Sequence, residues 1–321
     1  MSLLLLGSWT AAERERWLAL LQNELPGEQF ELAPPAESTD AAAAAAVEVA
    51  IVANPVHGSL RGLPNLRLIQ SVWAGVDKLL ADPDLPTGVP VARMVDPAMN
   101  EAMVQTALWA VLSLHRGFFR LAKQQALALW CQPAQPRASE WRVLVLGQGE
   151  LGGRVARALA AQGYAVSGWR TQAGAAGGFD DTQVRGLCGE AALAAALAEA
   201  DTVINLLPLT DATRGFFNTR RFAQMKRGAG LVNLARGAHV REGDLLLALE
   251  QGQLGHAVLD VFAQEPLDPA HAFWHHPRVT VLPHCAAQTD ARSAAAVVLG
   301  NLRALREGRP LAHLVQVARG Y

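Results

Sequence analysis

The 321 residues suit about two domains of ordinary size, and a composition 51% hydrophobic and 18% charged supplies material for buried cores. A formal net charge of -1 gives no electrostatic reason to expect a nucleic-acid or membrane-surface partner. The three cysteines, Cys131, Cys188 and Cys285, are widely spaced and form no Cys-x-x-Cys pair, so neither a zinc knuckle nor a disulfide framework is indicated; the expectation is reduced thiols in a cytoplasmic protein without a metal.

The N-terminus, Met1-Ser-Leu-Leu-Leu-Leu-Gly7, lacks a basic start, and its apolar stretch is too short for a secretory signal. The richest apolar run, residues 41–56, contains Glu48 and falls short of the roughly 20 residues that a bilayer span needs. Short apolar runs at 3–6, 49–52, 66–70 and 89–93 read as buried parallel strands. Residues 10–22 have helical spacing with Thr10 as the cap, and the alanines at 41–46 read as a helix end. One long helical stretch is expected from Pro97 to about Leu129. Proline suits its start, where a missing N–H costs nothing, and Gln132-Pro-Ala-Gln-Pro-Arg137 breaks it.

A second series then begins. Strands are expected at 142–146, 165–169, 202–207, 230–234, 256–261 and 279–282, with helices at 151–162, 190–199, 219–225 and 242–250. This is the rhythm of a doubly wound parallel sheet. A last amphipathic helix, 290–307, is placed back with the first series. The reading is thus α/β: a flavodoxin-like domain of residues 1–97 and 289–321, and a dinucleotide-binding domain of residues 98–288 that includes the helical arm.

The strand at 142–146 runs into Gly147-Gln-Gly149-Glu150-Leu151-Gly152, a Gly-x-Gly-x-x-Gly between strand and helix. The first glycine permits the tight turn, the second lets backbone approach a pyrophosphate, and the third lets helix and strand pack closely. The phosphates then meet free N–H groups at a helix start. A purely structural glycine turn and a methyltransferase-type nucleoside site are the alternatives. An NAD site places an acid about 20 residues on, for the ribose hydroxyls. Here the next strand ends in Ser167-Gly-Trp-Arg-Thr-Gln172, with no acid. Arg170, helped by the Thr171 hydroxyl, suits a 2′-phosphate, so NADPH is expected in preference to NAD. The bland alternative makes Arg170 a solvated charge.

Three more segments follow apolar strands: Asn233-Leu-Ala-Arg-Gly237, Asp260-Val-Phe-Ala-Gln-Glu-Pro266 and Pro283-His-Cys-Ala-Ala287. Ligands in such sheets bind beyond the carboxyl ends of the strands, which brings Arg236, Glu265 and His284 toward one crevice. Taken singly, each reads more readily as a surface or turn residue. Together with Gln70-Ser-Val-Trp-Ala-Gly-Val-Asp77, Ile204-Asn-Leu-Leu-Pro208, Asn233-Leu-Ala-Arg-Gly-Ala-His239, Leu259-Asp-Val-Phe-Ala-Gln-Glu-Pro-Leu267 and Ala318-Arg-Gly-Tyr321, they give a chain that resembles the D-isomer-specific 2-hydroxyacid dehydrogenase family over nearly its whole length.

The resemblance implies two Rossmann-like domains with the active site between them, a homodimer built on the helical region after Pro97, and reduction of a small 2-oxo acid such as glyoxylate or hydroxypyruvate. It assigns Arg236 to the substrate carboxylate and carbonyl, His284 to proton transfer and Glu265 to support of that histidine. By match, Trp73, Ala74 and Gly75 belong to the loop whose backbone N–H groups grip the substrate carboxylate. Leu207, Pro208, Thr213 and Ala235 match strand-end turns along the cofactor, and Asp260 matches the contact to the nicotinamide carboxamide. Trp130 matches the end of the dimer arm, either near the partner's site or as a packed interface aromatic.

The chemistry points the same way. Hydride addition at C2 puts negative charge on the carbonyl oxygen, a nearby imidazole can supply the proton, and a carboxylate beside it favours the charged ring. Arg236 can hold a carboxylate through a planar fork. Cys285 is expected to be a small buried residue. The chain departs from the family at two places: Trp73 replaces a usually small residue, and Ala53 stands where relatives often carry Trp, which suggests an aromatic wall moved from one loop to the other. The competing classes are a dehydrogenase for another 2-hydroxy acid and a nucleotide-sensing binding protein without turnover.

Overall fold

A computed structural model describes residues 2–33, 41–171 and 183–320. Gln172 and Tyr321, which end two of the motifs above, lie outside the described residues. The chain divides into two units, Met1–Met99 with Thr289–Tyr321, and Asn100–Gln288.

The first unit runs β1 (Ser2–Gly7), α1 (Ala11–Glu24), β2 (Gln29–Glu31), α2 (Ala41–Ala46), β3 (Val47–Ala53), β4 (Leu68–Ser71), α3 (Asp77–Leu80) and β5 (Val91–Ala92), and is completed by the C-terminal helix Ala291–Arg306. Its sheet is parallel throughout in the order β2-β1-β3-β4-β5, the flavodoxin-like order. A parallel sheet covered on both faces needs strands that are apolar on both sides, and β1 is buried along Ser2–Leu6 for that reason. One face packs Leu3, Leu5, Val49 and Ile51 against Trp17 and Leu21 of α1 and Val298 and Leu302 of the C-terminal helix. Thr10 caps α1 in a capping box, with its hydroxyl accepting from the Glu13 N–H (3.3 Å) while the Glu13 carboxylate accepts from the Thr10 N–H (2.8 Å), an arrangement worth about 1 kcal/mol. Buried Gln70 of β4 accepts from Asn301 Nδ2 at 2.7 Å, which fixes the C-terminal helix against the sheet.

Next come α4 (Pro97–Arg116) and α5 (Phe118–Ala126). The single long helix expected here is corrected by Gly117, which sits at φ +71 and ends one helix before the other starts. A left-handed residue cannot continue a right-handed helix, and glycine adopts it without steric cost.

The second sheet contains β6 (Arg142–Leu146), β7 (Ala165–Arg170), β8 (Val184–Cys188), β9 (Thr202–Asn205), β10 (Ala229–Asn233), β11 (Leu254–Leu259) and β12 (Val279–Val281), all parallel, in the order β12-β11-β10-β9-β6-β7-β8. α6 (Glu150–Ala161), α7 (Glu190–Glu199), α8 (Thr219–Gln224) and α9 (Glu242–Glu250) supply crossovers. This is the doubly wound arrangement expected, and its order reverses between β6 and β9, the switch point at which such sheets bind ligands. Strands β2 and β8 were absent from the sequence reading. Both are edge strands whose residues are largely exposed or half-buried, so neither carries the apolar run by which a buried strand is recognised.

Candidate active site

At the switch point the chain leaves β6 through Gly147 at φ +89, whose N–H donates to the Trp169 carbonyl at 2.9 Å. A Cβ on Gly147 would lie 2.5 Å from the Leu206 carbonyl oxygen, and one on Gly152 would lie 1.7 Å from the Gly147 carbonyl oxygen. Protein packing therefore demands both glycines. Gly149 is different: a Cβ there meets no atom of the described residues within 4 Å, and its backbone is extended (φ -83, ψ -159). Among the described residues neither packing nor conformation requires glycine at 149, and its bare backbone suits close passage of a phosphate group. Glu150, Leu151 and Gly152 form the first turn of α6, where N–H groups lack partners within the helix. Glu150 itself pairs with Arg154 at 2.7 Å. β7 ends at half-buried Arg170, followed by exposed Thr171, with no carboxylate among these described residues of the strand end. The donor set fits a phosphorylated dinucleotide.

The turn after β9 is tied by side chains. Buried Thr213 donates its hydroxyl to the Pro208 carbonyl (2.7 Å) and accepts from the Thr210 N–H (2.8 Å). The Leu207 N–H reaches Asn205 Oδ1 at 3.3 Å. Asn205 Nδ2 donates to Asn233 Oδ1 at 2.9 Å, joining the carboxyl ends of β9 and β10. Asn233 in turn accepts from the Ala235 N–H (3.3 Å) and donates to the Arg236 carbonyl (3.0 Å). These two buried asparagines lie within the motifs Ile204–Pro208 and Asn233–His239, where spacing along the chain gives neither a role. The available signal was a polar residue ending an apolar strand, twice, in what proved to be neighbouring strands.

Arg236 is half-buried and opens a turn of 3-10 helix over Gly237–His239, with its Nη1 donating to the Ala235 carbonyl at 2.8 Å. A Cβ on Gly237 would strike the Phe262 backbone at 1.9 Å, so the loops after β10 and β11 pass in direct contact. The loop after β11 carries Glu265, whose Oε1 accepts from the Phe262 N–H at 2.9 Å. Its Oε2 lies 2.7 Å from His284 Nδ1. His284 follows β12 at φ +51, and its N–H is shared between the Asp260 and Leu282 carbonyls (2.9 and 3.0 Å). The hydrogen bond to Glu265 raises the pKa of His284 against partial burial, the charges of Glu265 and Asp260 add to the rise, and Arg236 opposes it. Asp260, buried at the end of β11, accepts from the Cys285 and Ala286 N–H groups (2.7 and 3.0 Å). Burial raises its pKa against those two bonds. Cys285 is exposed, which corrects the expectation of a buried residue: its backbone, anchored on Asp260, holds the loop.

Trp73, Ala74 and Gly75 lie between β4 and α3 in the first unit, all half-buried. The Trp73 N–H donates to Ser71 Oγ at 3.0 Å and its carbonyl accepts from the Met94 N–H at 3.1 Å, so its backbone serves the loop itself. Its ring packs on the core that contains Ala53. Ala53 is fully buried, and a Cβ on Gly7 would lie 2.6 Å from its own. Position 53 therefore faces the core of the first unit. Among the described residues no group of three or more His, Cys, Asp or Glu is placed to hold a metal ion, and no helix is long and apolar enough to cross a membrane.

A strand–glycine turn–helix at the switch point of a doubly wound sheet, with a histidine–carboxylate pair beyond neighbouring strand ends, is the layout of a nicotinamide-dependent dehydrogenase. The family model for D-isomer specific 2-hydroxyacid dehydrogenase, NAD binding domain, matches residues 108–286, and the chain belongs to that family. Its relatives include glyoxylate/hydroxypyruvate reductase A of Serratia proteamaculans, 39% identical over 313 residues and covering 96% of each chain. The Yersinia enterocolitica protein of the same name is 36% identical over 315 residues, 96% of this chain and 97% of that one. Among solved structures, the NADPH-dependent glyoxylate/hydroxypyruvate reductase of Sinorhizobium meliloti in complex with NADP and sulfate superposes with a TM-score of 0.89 at 32% identity, covering 100% of this chain and 99% of the other. A D-isomer specific 2-hydroxyacid dehydrogenase from Xanthobacter autotrophicus in complex with NADPH and MES gives 0.91 at 35% identity with the same coverage.

Proposed function

We propose that this enzyme reduces glyoxylate or hydroxypyruvate to the 2-hydroxy acid with NADPH, using Arg236, Glu265 and His284. The observation that carries the reading is the 2.7 Å contact between His284 Nδ1 and Glu265 Oε2, in the same sheet unit as a Gly149 whose absent side chain nothing among the described residues requires.

NADPH, when bound, supplies the hydride to C2 of the 2-oxo acid. The pyrophosphate is held by the Gly147–Gly152 turn and the first N–H groups of α6. The 2′-phosphate meets Arg170 and Thr171, and Leu207, Pro208, Thr213, Ala235 and Asp260 line the nicotinamide half. Arg236 holds the substrate carboxylate and polarises the carbonyl through its fork of donors. In the first unit the proposed substrate-binding residues are Trp73, Ala74 and Gly75, the last two through their N–H groups and Trp73 through its support of that loop. His284 donates the proton from Nε2 to the carbonyl oxygen as charge develops there. Glu265 keeps the ring oriented through Nδ1 and keeps it charged. The first unit is the substrate domain and the second the cofactor domain.

The protein also acts as a cytoplasmic homodimer. Trp109, Leu112 and Phe118 of the α4–α5 arm, with Leu127, Leu129 and Trp130 beyond it, are large apolar side chains exposed on the isolated chain, Trp130 at 95%. A second copy of the same arm covers such a face. The deciding experiment follows NADPH absorbance with saturating glyoxylate or hydroxypyruvate, and repeats it with NADH. Rapid loss with NADPH is expected; no oxidation of either nucleotide by any 2-oxo acid sinks the reading.

A further inference from the structure

His239 is fully buried among the second unit's strand-end loops, and the proposed chemistry makes no use of it. Its surroundings are specific. Nδ1 lies 3.1 Å from the Arg236 carbonyl oxygen and Nε2 lies 3.3 Å from the Pro208 carbonyl oxygen. A carbonyl oxygen can only accept, so both contacts are hydrogen bonds together only in the imidazolium form, which carries hydrogen on both nitrogens; a neutral ring donates to one of the two. The same Arg236 oxygen takes the His239 backbone N–H at 3.2 Å and Asn233 Nδ2 at 3.0 Å. The Pro208 oxygen also takes the Thr213 hydroxyl at 2.7 Å. The imidazole therefore stands between the loop that carries Arg236 and the turn that follows β9.

The rest of this loop is immobilised as well. The His239 carbonyl accepts from the Phe217 N–H at 2.9 Å, and the Ala238 carbonyl accepts from the Gly215 N–H at 2.8 Å. Gly237 is pressed against the Phe262 backbone. Anchoring by the backbone alone already fixes the path of residues 237–240, so an apolar side chain at 239 would suffice for packing. A polar ring with both nitrogens aimed at carbonyls of two different functional loops is a further feature, and it asks for a further reason.

We propose that His239 is a positioning residue that couples the site of Arg236 to the cofactor turn at Pro208, setting both loops through one rigid side chain. The proposal rests on the reading of Arg236 as the substrate-carboxylate residue and of Pro208 as a cofactor contact. Its two arms separate by chemistry. Asparagine places an amide nitrogen near the Nδ1 position and keeps only the Arg236 arm. Glutamine reaches the Nε2 position and keeps only the Pro208 arm.

The test measures NADPH dissociation constants by nucleotide fluorescence, together with KM for glyoxylate, in His239→Asn and His239→Gln, with Arg236→Lys in parallel. Losing one such bond is worth about fivefold to tenfold in a binding constant. His239→Asn is expected to weaken NADPH binding by that factor with KM for glyoxylate within about twofold of wild type. His239→Gln is expected to do the reverse. Equal effects of both substitutions on both constants, or no effect of either, overturn the proposal, because a merely structural histidine gives no such split. An unchanged KM in Arg236→Lys would instead count against the role of Arg236, while the NADPH arm would still test His239. If neither His239 variant folds, a crystal structure of the wild-type protein with NADP decides: a ring turned away from either carbonyl overturns the proposal, and both contacts within 3.5 Å sustain it.

Discussion

The Glu265 carboxylate accepts from the Phe262 N–H at Oε1 and faces the His284 ring at Oε2. The first fixes where the second points, so the loop after β11 sets the orientation of the imidazole. Because the bond to Glu265 raises the His284 pKa above the ordinary histidine value, the protonated ring persists to higher pH than a free histidine would. The reduction rate is therefore expected to fall as pH rises through that raised pKa. Glu265→Gln removes the charge and should move the inflection to lower pH; an unmoved pH profile would count against the pairing. The linkage to stability has the same sign: the pair stabilises fully below the unfolded histidine pKa, and this is lost as pH rises through the folded one. The contribution is small, since both side chains are partly exposed. His284→Ala should lower kcat about 10²–10⁴-fold with NADPH affinity retained, as read by steady-state kinetics and nucleotide titration. Arg170→Ser should raise KM for NADPH about tenfold, the scale of a lost charge-assisted contact, and leave that for NADH unchanged. Arg236, Glu265 and His284 were legible because each follows an apolar strand in a recognisable motif. His239 was not, since in one dimension it is only one polar residue in a turn.

At the scale of elements, the β6–turn–α6 unit makes its glycines do different things. Gly152→Ala puts a methyl group 1.7 Å from the Gly147 carbonyl oxygen, an overpacking that should cost about 1–3 kcal/mol or more and lower the thermal midpoint. Gly149→Ala meets open space in an ordinary extended conformation. It should stay within about 0.5 kcal/mol of wild type yet weaken NADPH binding. Thermal melting paired with nucleotide titration separates the two, and a Gly149→Ala protein that binds NADPH normally would show that the turn does not approach a phosphate. This unit was legible because its pattern is local: apolar strand, glycines at fixed spacing, helix. The break at Gly117 was not, because a glycine inside an amphipathic run reads as tolerable until its φ is known. Edge strand β8 is hard to read because only Val184 of its five residues is buried, too little to make an apolar run.

For the molecule as a whole, the arm of α4 and α5 leaves Trp109 and Leu112 exposed near the middle of a helix. If a second copy covers them, sedimentation should give twice the chain mass of 34.2 kDa. Trp109→Asp with Leu112→Asp should then shift the protein to the monomer without unfolding it, since both residues lie outside the core. A wild-type monomer at micromolar concentration would remove the dimer from the proposed function. The sequence by itself determined the parallel α/β class and the doubly wound rhythm, because strands buried on both faces must be apolar throughout and the turns between them need glycine at set places. It also determined the dinucleotide turn and the residue types of the proposed catalytic set. The tertiary structure decided which of those residues meet. Glu265 and His284, 19 positions apart in the chain, close to a 2.7 Å contact only because β11 and β12 lie side by side. The cross-ties from Asn205 to Asn233, and from His239 to Pro208, exist only because the carboxyl ends of β9 and β10 are neighbours in the sheet. Strand adjacency is set by long-range packing, which local spacing along the chain does not record.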